Sequence, residues 1–300
     1  MKTGIPAVLI AAFLATGPTT AAEALKLRHV STLYADAQAV PLSSPQGVGC
    51  GAGDRILVAD SGNGRVLRVE VSGSLSRVTG IVKLPEIPYP IRVDGDPTGG
   101  LVVLDGRSRR LARVRADGSF GGWVDAPQAE GAAAPVIRSF AIGPKGSVLV
   151  ADVAGRRVVQ IAAAGALERS IELPAGMRGL TDLAVDGRGS ILALDGVGRR
   201  VWVMRPGESG FSPMSDSLSQ DLDFPAALDA DTSGRVLVAD LNGGGVVMLG
   251  PDGSFRGRQS AFGWKEGFMR YPSDLCVGGH GLVAVADREN NRMQVFAVDR

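Results

Sequence analysis

One unit recurs six times along this chain of 300 residues, and no other property restricts its fold as tightly. Each copy holds an apolar strand, a turn, a second strand ending in Asp, a short loop and a third strand. The clearest copies are ILVADSGNGRVLRV, from Ile56 to Val69, and VLVADVAGRRVVQI, from Val148 to Ile161. The closing aspartates are Asp60, Asp105, Asp152, Asp195, Asp240 and Asp287, spaced by 45, 47, 43, 45 and 47 residues. Five residues after them stand Arg65, Arg110, Arg157, Arg200, Gly245 and Arg292. Thirteen residues before them stand Gly47, Arg92, Ser139, Asp182, Ala227 and Asp274. Three columns agreeing at one period do not arise by chance.

The apolar runs are short and rich in Val, Leu and Ile, which suits strands buried on both faces. Glycine-containing turns such as Asp186-Gly187-Arg188-Gly189 separate the first and second strands of a copy. The 42 glycines alongside 45% hydrophobic residues fit many tight turns around an ordinary core. About 46 residues per copy is the length of a four-stranded blade, and six blades can close a ring around a channel. The expectation is therefore an all-β, six-bladed β-propeller. A solenoid is disfavoured because the copies lack helix-forming segments and the ends lack capping units. Only one strand, Met293 to Val298, follows Arg292, so the sixth blade lacks its outer strand. The strand-like segment Leu25 to Tyr34 is expected to fill that place and close the ring.

The first residues read as a targeting segment. Lys2 supplies a positive start, Ile5 to Ala15 form a short apolar run, and Ala22-Glu23-Ala24 fits a small-x-small cleavage site. Residues 1–24 are thus expected to be a signal peptide and 25–300 a single propeller domain. The mature chain, without a transmembrane segment, would be extracytoplasmic, either periplasmic or secreted. A formal charge of +1 gives no global attraction to nucleic acid or to an anionic membrane.

The string Val285-Ala286-Asp287-Arg288-Glu289-Asn290-Asn291-Arg292-Met293-Gln294-Val295-Phe296 resembles the signature of NHL repeats. Tyr271-Pro272-Ser273-Asp274-Leu275 resembles the start of that unit, and Ala59 to Val66 matches nearly as well. The resemblance spans the mature chain and implies the propeller fold. It says little about function, because such propellers serve as docking platforms, nucleic-acid readers and enzymes. Copy five departs from it with Gly243-Gly244-Gly245, and copies two and four carry Leu before the Asp.

Each repeated Asp can accept hydrogen bonds from turn N–H groups and from the Arg five residues on. Because every copy repeats the pair, a structural role outweighs a catalytic one. Asp240, opposite Gly245, is the exception and is expected to be free for a ligand. The sequence has no G-x-S-x-G, H-E-x-x-H or C-x-x-C motif, and its two histidines, His29 and His280, lie far apart. Cys50 and Cys276 fall near the ends of the innermost strands of copies one and six, which ring closure makes neighbours. They occupy adjacent columns of opposite strand parity, so two separate buried thiols are favoured over a disulfide.

The candidate site is the channel mouth. The innermost strands offer Arg92, Arg138, Ser139, Asp182 and Asp274, and the loops from second to third strand add Arg107, Arg109, Arg156, Arg199 and Arg288. This basic face around an acidic pair points to a binding or scaffolding module for a protein, peptide or anionic glycan, with no cofactor. Some six-bladed relatives hold a divalent ion at the mouth. That resemblance implies an alternative, a calcium-type hydrolase, lactonase or lyase with Asp182 and Asp274 as oxygen ligands. Nucleic acid ranks lowest, since these loop residues include no aromatic for base stacking.

Overall fold

The computed structural model describes residues 25–51, 55–128, 133–260 and 262–299. The segment read as a signal peptide lies outside them. Six four-stranded antiparallel sheets follow one another around a ring. Blade 1 runs outward through Gly47–Cys50, Arg55–Asp60, Arg65–Ser72 and Leu75–Val82. The innermost strands of blades 2 to 6 are Pro90–Gly95, Ile137–Ile142, Leu180–Val185, Pro225–Ala230 and Pro272–Val277. In blade 6 the outermost strand is Lys26–Leu33, antiparallel to Arg292–Asp299, with Lys26 opposite Asp299 and Leu33 opposite Met293. The expected closing strand therefore joins the two ends of the chain. No helix among the described residues is long and apolar enough to cross a membrane.

The core lies between blades. Val58 and Leu67 of blade 1 pack on Cys276, Ala284 and Met293 of blade 6, and a cluster of the same kind fills each of the other five junctions. Second strands such as Val148–Asp152 are buried along their whole length, with one face toward each neighbouring blade. Each such side chain contributes about 1.5–3 kcal/mol on leaving water. This two-sided burial is why the strands read as unbroken apolar runs without polar alternation.

Facing residues on neighbouring blades come from opposite faces of the repeat unit, and this corrects the expectation of two free thiols. Cys50 and Cys276 form a disulfide across the junction of blades 1 and 6, with 5.6 Å between their Cα atoms. Opposite strand parity points the two side chains toward each other, because one blade presents the face that its neighbour turns away. The other junction of blade 1, with blade 2, explains two glycines. A Cβ on Gly47 would stand 2.6 Å from Ile91 O, and one on Gly49 would stand 2.2 Å from Val93 O. Blade 1 approaches blade 2 too closely for any side chain in those columns.

The repeated Asp ties down the loop entering its own blade. Asp60, Asp105, Asp152, Asp195, Asp240 and Asp287 accept from the backbone N–H of Ser43, Tyr89, Val136, Gly179, Phe224 and Arg270 respectively. The Asp–Arg pair forms in blades 1, 3 and 6, at 2.7, 2.9 and 2.7 Å. In blade 2, Arg110 turns outward to Asp125 and to the Trp123 ring. Asp240 is not free as expected. Arg258, on the outermost strand of blade 5, takes the place left by Gly245 and lies 3.0 Å from the carboxylate.

Candidate functional site

Innermost strands of a propeller run side by side without a backbone ladder between them, so their N–H groups at the channel need other partners. Carboxylates from the preceding blade supply them. Asp182 of blade 4 accepts from Leu228 N at 2.9 Å, and Asp274 of blade 6 accepts from Val48 N at 3.1 Å. One layer deeper, Asp229 of blade 5 accepts from Val277 N at 2.7 Å, and Asp94 of blade 2 accepts from the backbone N–H of Ile142. Each of these aspartates stitches its blade to the next.

Arg92 crosses the channel above Asp94. Its Nη1 donates to Asp274 at 2.7 Å and to Asp182 at 3.1 Å, and its Nη2 donates to Ala226 O at 3.1 Å. Ser139 Oγ donates to the other oxygen of Asp182 in a short hydrogen bond. Burial works against the guanidinium charge, but Asp182 and Asp274 outweigh it and hold Arg92 protonated. The Asp274 carboxyl is pushed up to about 7, first by burial, while Arg92 pulls it down and Asp182 pushes it up. Arg92, Ser139, Asp182 and Asp274 are thus brought together into one buried network.

A cavity of about 220 Å³ lies against Arg92, Asp182 and Asp274 and extends past Asp94 and Asp229. It shares Cys50, Val185, Ala230 and Val277 with a wider depression of about 790 Å³, which is lined by turns such as Gly278 to Gly281. The channel therefore opens on the face of the first-to-second-strand turns, opposite the arginine-bearing loops. Asp94 and Asp229, on opposite blades of the ring, are each pushed up to about 7, chiefly by burial. Sequence reading passed over both. The alignment column two places beyond Arg92 holds Gly49, Asp94, Ala141, Ala184, Asp229 and Cys276, and its polar members were the available signal.

The proposed cation ligands were tested against this geometry. Asp182 and Asp274 already share the Arg92 guanidinium, which stands where a divalent ion would bridge them. Among the described residues no group of three or more His, Cys, Asp or Glu side chains is placed to hold a metal. The residues do not fit a calcium site, which needs six or more oxygen ligands.

The loop arginines divide into two sets. Arg156 donates to Met177 O at 3.2 Å, Arg199 lies 3.8 Å from Asp223, and Arg288 lies 3.3 Å from Glu289. Arg107, Arg109 and Arg138 are exposed, and none forms an ion pair among the described residues. Arg138, though its surface is exposed, has its pKa lowered, first by partial desolvation and then by Arg92 and Arg109. Arg138 of blade 3 thus lies beside two cations of blade 2, which disfavour its charge.

The family model described as NHL repeat matches residues 269–296, which span the end of the loop into blade 6 and most of that blade's three inner strands. The chain is a six-bladed propeller carrying an NHL repeat. No curated protein matches its sequence. Among solved structures, this propeller resembles a streptogramin B lyase with a TM-score of 0.63 and 11% identity, over 92% of this chain and 98% of that one. It also resembles virginiamycin B lyase from Staphylococcus aureus, with a TM-score of 0.61 and 10% identity, over 91% and 99% of the two chains. A protein of unknown function from Bacteroides thetaiotaomicron gives a TM-score of 0.64 and 12% identity, over 92% and 76%. At such identities the likeness is one of fold.

Proposed function

We propose that this NHL propeller is an exported binding module whose loop face holds an anionic group of a protein, peptide or glycan at blades 2 and 3. The observation that carries the reading is Arg138 beside Arg92 and Arg109, its charge disfavoured by partial desolvation and by those two neighbours, with Arg107 exposed on the same loop as Arg109. A bound carboxylate, sulfate or phosphate relieves that repulsion and is met by planar donors suited to it. The disulfide suits an oxidising compartment, as the leader-like residues 1–24 do.

Catalysis is the weaker reading, because the channel carboxylates are engaged by backbone N–H groups or by Arg92. One solved relative in fold is a catalytically inactive histidine-to-alanine variant of the S. aureus lyase with quinupristin. Here His29 lies on the closing strand of blade 6 and His280 on a turn of the opposite face, so neither reaches the loop-side mouth.

Titration with a sulfated oligosaccharide and with polyglutamate, at low and at physiological salt, tests the proposal. Binding should weaken with salt and fall at least roughly tenfold in Arg107→Glu and Arg138→Glu. Affinity unchanged by both substitutions would overturn it.

A further inference from the structure

The loop joining blade 5 to blade 6 displays aromatic rings from a fixed backbone. Trp264 is 76% exposed, Phe262 53% and Phe268 40%, and Tyr34 beside them is 48% exposed. Their exposure does not come from a slack loop. Arg292, itself buried, donates to Trp264 O at 2.9 Å and to Lys265 O and Phe268 O at 2.8 Å. Gln294 donates to Phe268 O at 2.7 Å and accepts from Gly267 N at 2.8 Å. Asn290 donates to Gly263 O at 2.9 Å. Three buried or half-buried polar side chains of blade 6 thus anchor this loop, and the cost of ordering it has been met before any partner arrives.

Exposed aromatic clusters on a folded surface mark interaction sites. The chemistry around this one narrows the partner. All four exposed apolar side chains are aromatic, and the indole is the most exposed of them. The loop carries both signs, with Lys265 and Glu266 adjacent in sequence, Arg270 over the Phe262 ring, and Tyr34 Oη donating to Glu266 at 3.2 Å. A rim of one sign would select a charged ligand. Interleaved donors and acceptors match hydroxyl groups, each of which both donates and accepts. A sugar ring offers those hydroxyls around its edge and a C–H face that stacks on an indole.

We propose that this loop is a glycan-binding platform, with a sugar ring stacked on Trp264 and its hydroxyls met by Lys265, Glu266 and Arg270. The platform adds to the binding-module reading a contact zone on blade 6 that does not depend on the arginines of blades 2 and 3.

The test is a calorimetric titration of the full mature chain with oligosaccharides of glucose, N-acetylglucosamine and mannose, with the parent's tryptophan emission followed alongside. At least one should shift the tryptophan emission saturably, with little dependence on salt. Trp264→Ala should lose roughly tenfold or more in affinity, while Trp264→Phe keeps most of it. The melting temperature should not change in either variant, since the side chain is exposed. Leu75→Ala, at an exposed position of blade 1, and Arg107→Glu should bind like the parent. Absence of a shift with all three sugars, or parental affinity in Trp264→Ala, overturns the proposal. Because loss of binding in Arg107→Glu touches only the anion site, the two readings fail separately.

Discussion

Arg92 Nη1 lies 2.7 Å from Asp274 Oδ1, a contact that joins blade 2 to blade 6 across the channel. The same nitrogen reaches Asp182 of blade 4 and Nη2 reaches Ala226 O of blade 5, so one guanidinium ties four blades together. Replacing Arg92 with Ala would leave two buried carboxylates facing each other. The expected loss is about 3–5 kcal/mol, the cost of removing one partner from a buried ion pair. Urea unfolding of Arg92→Ala checks it, and a loss below about 1 kcal/mol would show that the crossbar contributes little.

Asp94 and Asp229 make stability depend on pH in an unusual direction. Both are pushed up from 3.8 to about 7, chiefly by burial. Between those values the folded state binds more protons than the unfolded chain. Their contribution is complete below the unfolded value and is lost as pH rises through the folded one. Asp36, Asp96, Asp117, Asp231 and Asp252 are lowered instead, and their contribution is lost only as pH falls below the ordinary carboxylate range. The melting temperature should therefore fall from about pH 5 to about pH 8. Asp94→Asn with Asp229→Asn should reduce that slope to the part due to Asp274, which is also raised to about 7, and stabilise the protein at the alkaline end. A parental slope in the double variant would assign the dependence elsewhere.

Arg292 and Arg258 offer a graded comparison. Arg292 has 1% of its side chain exposed and holds Asp287 and three loop carbonyls, whereas Arg258 has 26% exposed. Asp240 also keeps the N–H groups of Asp223 and Phe224 when Arg258 is removed. Arg292→Ala should cost about 3–5 kcal/mol and Arg258→Ala about 1–2 kcal/mol in denaturant unfolding. Equal costs would mean that the outer-strand substitute has taken over the full role of the repeat arginine.

The propeller was legible because its period, its columns and its terminal strand all reported the same repeat. Arg258 was not, since it reaches Asp240 from a strand where the repeat has no arginine column. The disulfide was misjudged because parity was compared within one strand frame, while the two cysteines face each other from adjoining blades. At the channel, the column of Arg92, Ser139, Asp182 and Asp274 held residues that the structure brings into one network. What the columns could not convey is length. The arginine side chain reaches across the ring and satisfies both carboxylates, turning an apparent acidic pair into a crossbar.

The Cys50–Cys276 bond makes a last expectation concrete. It links blades 1 and 6, which the strand Lys26–Leu33 also brings together from the outside of the ring. The two closures act at different radii: the disulfide borders the channel, and the strand lies at the rim. Constraining the unfolded chain over a separation of 226 residues should stabilise the fold by about 3–5 kcal/mol. Reduction, or Cys50→Ala with Cys276→Ala, should lower the melting temperature while leaving the native spectrum unchanged at room temperature, because strand pairing at the rim survives. Amide exchange should then rise first in Lys26–Leu33 and Arg292–Asp299, the pair left to hold the ring alone. If exchange instead rises evenly around all six blades, the junction is no weaker than its neighbours and the bond adds only a uniform constraint.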